Sequence, residues 1–208
     1  KGFFGLASWD TQVEYKDFRF TGPDGNLVYE GNFDGDLKGW KVQKGEWKAE
    51  GGILSQKSLE NDCVIYVEES KWGDGTLSLR ARKKAGREGF QILFQADDIK
   101  AHRFWNLGGW GNTVHCLEAA RGQPKVPGSI ETGRWYEIEI ELKGPKVSCF
   151  LDGKLAQEFV RAAPPALYAS AGRSADGRDL IVKMANVSGF EIEAEFEMLG
   201  VKAGGHGR

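Results

Sequence analysis

The sequence predicts an all-β fold, an antiparallel two-sheet sandwich of the jelly-roll type, from three observations. The 208-residue chain contains 29 glycines, 12 phenylalanines and 7 tryptophans, a composition typical of many tight turns around a large-residue core. Short segments alternate apolar and polar side chains, which is the periodicity of half-buried strands. Helical periodicity is nearly absent. A chain of this length is also long enough to bury a substantial core.

The first strands are predicted in the N-terminal part. Alternation along residues 11–20 changes phase near Asp17, which predicts a β-bulge. Glycine turns then separate short strands, as in the first hairpins of a jelly roll. Trp40 and Trp47 are the large apolar residues of these strands. The whole predicted core consists of Trp40, Trp47, Leu79, Phe94, Phe104, Ile138, Ile140 and Leu151.

The clearest alternation lies in residues 76–82 and 90–95. Residues 134–142 also alternate, and their glutamates are interpreted as the solvated outer face of a strand. Asp152-Gly153 predicts a two-residue hairpin. Residues 161–165 are interpreted as a linker, and three further strands are predicted at 167–171, 179–186 and 190–198.

The stretch from Ala101 to Glu118 carries the strongest functional signal. Its indoles, amides and imidazoles surround a glycine cluster, and carbohydrates need flat apolar faces beside hydrogen-bonding groups. If Phe104 faces the core, Trp105 faces outward. On the next strand, Val114 and Cys116 facing inward place His115 on the outer face. The predicted carbohydrate-binding residues are Arg80, Gln91, Gln95, Arg103, Trp105, Asn106, Trp110, Asn112 and His115. The alternative is an ordinary strand pair joined by a glycine turn.

Charge and cysteine content exclude some partners and some types of site. With 28 basic and 30 acidic residues, nucleic acid is not expected as a partner, because phosphate binding requires a basic surface. No apolar run approaches membrane-spanning length, so no membrane association is expected. Cys63, Cys116 and Cys149 are predicted as small buried residues, since their number and spacing suit neither a disulfide framework nor a zinc site.

Several segments together resemble a known family. GLASWDTQVEYKDFRF, NFDGDLKGW, EGFQILF, FWNLGGWGNTVH, TGRWYEIEIEL and CFLDGKL resemble the concanavalin A-like (laminin-G-like) jelly-roll module of bacterial α-L-arabinofuranosidases of glycoside hydrolase family 51. LYASAGRSADGRDLIVKMANVS resembles the start of the β-sandwich that closes those enzymes. The resemblance implies a jelly-roll domain over residues 1–163, followed by extra strands over 164–208.

The function implied by this resemblance is a non-catalytic carbohydrate-binding module of a secreted or periplasmic bacterial enzyme. Its partners would be arabinan, arabinoxylan or arabinogalactan, together with the catalytic domain of the parent enzyme. Two other functions stay open. One is a structural spacer packed on the catalytic barrel, and the other is a glycoside-cleaving jelly roll that uses Glu118 and Asp97.

A structural calcium ion is the one cofactor expected. Asp34 and Asp36 offer carboxylate oxygens of the kind that calcium prefers, although acidic turn residues are often only solvated turn formers. The resemblance implies that such an ion fixes the terminal strands, which would bring Asp17 close to these two carboxylates.

Overall fold

The computed structural model describes residues 2–96, 104–118, 125–160, 167–187 and 193–194. These residues are almost entirely β-strand, and every strand pairing is antiparallel. Two large sheets share one core, as in a sandwich. The predicted all-β class is therefore confirmed, and the arrangement is consistent with a jelly roll.

The two large sheets have seven and eight strands. The seven-stranded sheet has the spatial order β12 (Lys125–Pro127), β11 (Val114–Glu118), β10 (Phe104–Gly108), β9 (Phe90–Ala96), β1 (Phe3–Ser8), β7 (Cys63–Val67) and β4 (Trp40–Lys44). The eight-stranded sheet has the order β15 (Lys154–Val160), β14 (Lys146–Leu151), β13 (Trp135–Lys143), β8 (Gly75–Gly86), β2 (Thr11–Thr21), β6 (Ile53–Gln56) and β5 (Trp47–Glu50), with β3 (Leu27–Glu30) paired to β2.

A four-residue turn, α1 (Gly109–Asn112), connects β10 to β11, and Trp110 and Gly111 within it have left-handed backbone angles. Within the described part of the chain, no helix has the length and apolarity needed to cross a membrane.

The chain divides into two compact units, Lys1–Arg161 and Ala162–Arg208. Both large sheets belong to the first unit. In the second unit, β16 (Leu167–Arg173) and β17 (Leu180–Asn186) form an antiparallel hairpin, so two of the three strands predicted here are confirmed. The predicted linker at 161–165, the boundary between 163 and 164, and most of the third predicted strand lie outside the described residues.

Alternating side chains of the eight-stranded sheet build the core against the seven-stranded sheet. Leu77 and Leu79 on β8 face Ile140 and Ile138 on β13 in register, and all four are at most 3% exposed. The predicted core residues buried in this cluster are Trp40, Leu79, Phe94, Ile138 and Ile140. Trp47 and Leu151 are partly buried and pack against it. Alternation therefore predicted this part of the core correctly.

Two local predictions are also confirmed. Asp17 has φ of 55°, and the register between β2 and β8 shifts between Lys16 and Arg19, which is the predicted bulge. Asp152 and Gly153 have φ of 50° and 72° between paired strands β14 and β15, the backbone of a two-residue hairpin turn.

The predicted phase of β10 is wrong. Trp105, expected on the surface, is 0% exposed within the central core, and its indole Nε1–H donates to Gln157 Oε1 of β15 at 2.9 Å. Phe104, expected in that core, is buried on the opposite face of its sheet, beside Leu93 and Tyr66. Phe104 and Trp105 are adjacent and both aromatic, so alternation in the sequence does not show which of them faces inward. In the structure Trp105 faces inward, and its hydrogen bond to Gln157 joins the two sheets.

The three cysteines are buried with free thiols, as predicted. Burial raises the pKa of the Cys149 thiol well above its ordinary value, because the charged thiolate is poorly solvated there. The pKa values of Cys63 and Cys116 are raised for the same reason.

We expect Trp105→Ala to lower the free energy of unfolding by about 3 to 5 kcal/mol, because it removes a fully buried indole and leaves a cavity. Chemical denaturation monitored by circular dichroism measures this change. Trp110→Gly is the matched control, since Trp110 is 45% exposed. Equal losses of stability in the two variants would contradict the assignment of Trp105 to the core.

Candidate functional site

The structure separates the residues that the sequence placed on one polar face. Gln91 on β9 and Asn106 on β10 are directly opposite each other, and Cys116 on β11 is opposite Asn106 on the other side. Trp105, next to Asn106, faces the core, so Asn106 and its two partners lie on the outer face of the seven-stranded sheet. Gln91 and Asn106 are thus brought together as predicted, but both are largely buried, at 8% and 5% exposure.

His115 faces the core side of β11 and not the surface, which is a second correction. It pairs with Leu107, and its Nδ1 accepts a hydrogen bond from the Gly108 N–H at 3.0 Å. A Cβ on Gly128 would overlap the imidazole ring, so the ring is tightly enclosed. The expectation failed because β11 follows the phase of β10, and that phase was inverted.

Arg80 lies on the other sheet. Its guanidinium contacts the Glu137 carboxylate at 2.7 Å and lies 3.9 Å from that of Asp17. These residues line a shallow groove on the outer face of the eight-stranded sheet. Arg80 therefore cannot share a binding surface with Asn106.

Gln95 and Arg103 are two further predicted carbohydrate-binding residues. Gln95, at the end of β9, is 3% exposed, and its Nε2–H donates to the Gly73 carbonyl at 2.8 Å. Its side chain is therefore buried and does not lie on an exposed binding face. Arg103, and Asp97 of the glycoside-cleaving alternative, lie outside the described residues.

The turn that joins β10 to β11 has a left-handed backbone. Trp110 has φ of 51° and ψ of 54°, and Asn112 has φ of 63°. This conformation costs an L-residue other than glycine roughly 1 to 2 kcal/mol. Gly108 precedes the strained residues and Gly111 lies between them. Both have positive φ, which glycine accepts more readily than other residues.

Specific hydrogen bonds hold this turn in place. The Asn112 side chain binds the Ile130 backbone twice, accepting from its N–H at 2.8 Å and donating to its carbonyl at 3.0 Å. The Gly111 N–H donates to Glu88 Oε1 at 3.1 Å. Asn112 is therefore a positioning residue, and the turn presents the Trp110 indole to solvent.

Polar groups lie beside the Trp110 turn on the outer face. The Lys125 ammonium lies 3.5 Å from the indole centroid, a cation–π contact. Asn106 donates from Nδ2 to Glu118 Oε1 at 2.7 Å and packs against Gly109, where a Cβ would overlap it. We call the set Asn106, Trp110, Glu118 and Lys125 the Trp110 patch. It combines an exposed ring with amide, carboxylate and ammonium groups.

Sequence reasoning missed Lys125 and Glu88, which contact the Trp110 turn. Lys125 is near in space only because β12 pairs with β11, and nothing in its local sequence signals this. Glu88 lies in the connection between β8 and β9, and nothing in its local sequence relates it to Trp110. Knowledge of the strand order would have been needed to find either residue.

The expected calcium ligands are not gathered into one group. Asp17 lies near the Arg80 guanidinium, and Asp36 Oδ1 accepts from the Lys38 N–H in a local turn. Asp34 is exposed and donates its backbone N–H to Asn32 Oδ1. Among the described residues, no three His, Cys, Asp or Glu side chains cluster in a way that could hold a metal. The calcium site stays a prediction based on the resemblance.

Comparison with known proteins gives two matches. Residues 29–178 match the family model of the 3-keto-alpha-glucoside-1,2-lyase-like domain. Over 210 residues the chain is 32% identical to a Streptomyces chartreusis protein named extracellular exo-alpha-L-arabinofuranosidase, an alignment that covers 97% of this chain and 25% of that protein. The chain therefore spans about a quarter of that relative's length. No solved structure matches the chain.

The expected resemblance to an arabinofuranosidase is thus confirmed in its general form. Assignment to glycoside hydrolase family 51 stays a hypothesis, because neither match names that family.

The environment of His115 predicts a pH-dependent stability. Burial lowers the pKa of the imidazole below its ordinary value of about 6.5. Below pH 6.5 the unfolded chain therefore binds a proton at this residue more readily than the folded chain does, and stability falls as the pH falls. Protonation would also remove the acceptor for the Gly108 N–H. Thermal melts between pH 7.5 and 5 measure the effect.

His115→Gln is the control for this measurement, because glutamine does not titrate in that range. We expect a weaker loss of stability at low pH in the variant than in the unmodified chain. Parallel pH profiles for the two proteins would show that His115 is not linked to folding.

Proposed function

The chain belongs to the 3-keto-alpha-glucoside-1,2-lyase-like domain family, and from this premise we propose that it is a carbohydrate-binding accessory domain of a secreted glycoside hydrolase. Its ligands would be arabinose-containing plant polysaccharides such as arabinan, arabinoxylan or arabinogalactan. Its intramolecular partner would be the catalytic domain of the parent enzyme.

Both comparisons support this proposal. The relative from Streptomyces chartreusis is named for the release of arabinofuranose outside the cell, and this chain corresponds to a quarter of its length. A segment of that relative length is the size of an accessory domain, and the rest of such a protein is long enough for a catalytic domain. The family is named for a lyase that acts on a glucoside, which favours a sugar as ligand and is also the observation that favours the catalytic alternative.

The observation that carries the proposal is the exposed indole of Trp110 on a strained turn. Residues other than glycine that are held in the left-handed region occur preferentially at functional sites, and Trp110 is such a residue with its indole 45% exposed. The C–H face of a furanose or pyranose ring can stack on the indole. Lys125, which contacts the indole, and the Asn106–Glu118 pair beside the turn would supply hydrogen bonds to its hydroxyls.

The geometry also limits how the sugar binds. Because the Lys125 ammonium already covers one face of the indole, the sugar would stack on the opposite face. Lys125 would then fix the ring orientation in the free protein, which reduces the entropy lost on binding.

A contact between Trp110 and another domain of the parent enzyme is the competing function for the same surface. Interdomain interfaces and sugar sites both use aromatic rings with a polar rim. The two functions differ in one measurable property, since only a sugar site binds glycans when the chain is studied alone.

We expect Trp110→Gly to weaken glycan binding by about ten- to a hundredfold, equivalent to roughly 1 to 3 kcal/mol, because the stacking surface is lost. The melting temperature should be unchanged or slightly higher, since glycine relieves the backbone strain. Isothermal titration with arabinan, arabinoxylan and arabinogalactan measures the affinities, and a thermal melt measures stability.

The matched control is Trp135→Ala, which removes a half-buried indole on the eight-stranded sheet and should leave affinity unchanged. If the unmodified chain binds none of the three glycans, the interdomain contact replaces the sugar site. Release of reducing sugar during the titration would instead show that the domain is catalytic.

A further inference from the structure

A second exposed indole lies near the Trp110 turn. All seven tryptophans are within the described residues, and only Trp9 and Trp110 are strongly exposed, at 38% and 45%. Trp40 and Trp105 are buried in the core, Trp47 and Trp72 pack against it, and cationic side chains cover Trp135. Trp9 and Trp110 are therefore the two most exposed of the seven indoles.

Three hydrogen bonds connect the Trp9 turn to the Trp110 turn. Thr11 Oγ1 donates to the Trp9 carbonyl at 2.9 Å and accepts from the Glu88 N–H at 3.1 Å. Glu88 Oε1 then accepts from the Gly111 N–H at 3.1 Å. The β1–β2, β8–β9 and β10–β11 connections thus meet at one end of the sandwich.

The Trp9 turn is strained in the same way as the Trp110 turn. Asp10, the residue after Trp9, has φ of 46°, in the left-handed region that is unfavourable for residues with a Cβ. Two neighbouring turns at this end therefore carry left-handed residues other than glycine, and each turn presents an indole.

Polar groups between the two turns are already oriented. Asp10 forms an ion pair with Arg87, whose side chain is 84% exposed. The hydrogen bond that Arg87 donates to Asp10 raises the pKa of the guanidinium and orients it at the surface. A planar guanidinium has several N–H donors in a fixed arrangement, which suits the adjacent hydroxyls of a sugar. Glu88 adds a carboxylate acceptor beside it.

We propose that Trp9 and Trp110 are two stacking subsites of one site, so that the domain binds a chain of several sugars and not a single terminal residue. Arg87 and Glu88 would contact the sugars between the two indoles. This inference rests on the proposed carbohydrate-binding function and specifies its ligand as an oligosaccharide.

Ligand length is the variable that tests the inference. The full chain is titrated with arabinobiose and with arabinohexaose, and Trp9→Ala is compared with Trp110→Gly. We expect Trp110→Gly to weaken binding of both ligands. Trp9→Ala should weaken the hexaose about tenfold and leave the biose unchanged, because only the longer ligand reaches the second indole. The unmodified chain should therefore bind the hexaose more tightly than the biose.

Two controls keep a folding defect apart from a loss of binding. Trp9→Tyr retains a ring at the same position and should restore most of the hexaose affinity. Trp135→Ala, on the eight-stranded sheet, should bind both ligands like the unmodified chain.

The outcomes distinguish this inference from the proposed function. If Trp110→Gly weakens both ligands and Trp9→Ala binds the hexaose normally, the second subsite is wrong and the carbohydrate-binding function stands. If the unmodified chain binds neither ligand nor any of the three polysaccharides, both are wrong.

Discussion

The hydrogen bond between the Trp105 indole and Gln157 is the interaction on which the arrangement of the site depends. It joins β10 of the seven-stranded sheet to β15 of the eight-stranded sheet through the core. With Trp105 facing inward, antiparallel pairing directs Leu107 and His115 inward as well. Asn106 and Glu118 must then lie on the outer face, where they approach the Trp110 turn.

The same constraint explains the unusual backbone of that turn. Because the ends of β10 and β11 are fixed by pairing, the residues between them must reverse direction within a few positions. The left-handed conformation achieves this reversal and directs the Trp110 side chain away from the sheet. Asn112, Glu88 and His115 stabilise the turn through hydrogen bonds that offset its strain. Asn112 and His115, which help to position the indole, are therefore different from the residues available to contact a ligand.

The two sheets differed in how much the sequence revealed. β8 and β13 have one buried and one solvated face, so alternation predicted the orientation of Leu79, Ile138 and the glutamates of β13 correctly. β9 and β10 are buried on both faces. Alternation still placed Phe94 of β9 in the core correctly, but Phe104 and Trp105 of β10 are adjacent aromatic residues without a period-two signal. Trp105 was consequently placed on the wrong side. Trp110 was identified because glycines flank it. The positions of Trp9 and Lys125 relative to Trp110 follow only from the strand order.

The central claim is that a glycan binds at the end of the sandwich formed by the β1–β2 and β10–β11 turns. A two-dimensional ¹H–¹⁵N NMR titration with arabinohexaose tests it directly, because each of the seven indole N–H groups gives a separate signal. The account predicts that the Trp9 and Trp110 indole signals shift and that the buried Trp105 signal does not. Shifts confined to Trp135, on the eight-stranded sheet, or no shift at any indole would contradict it.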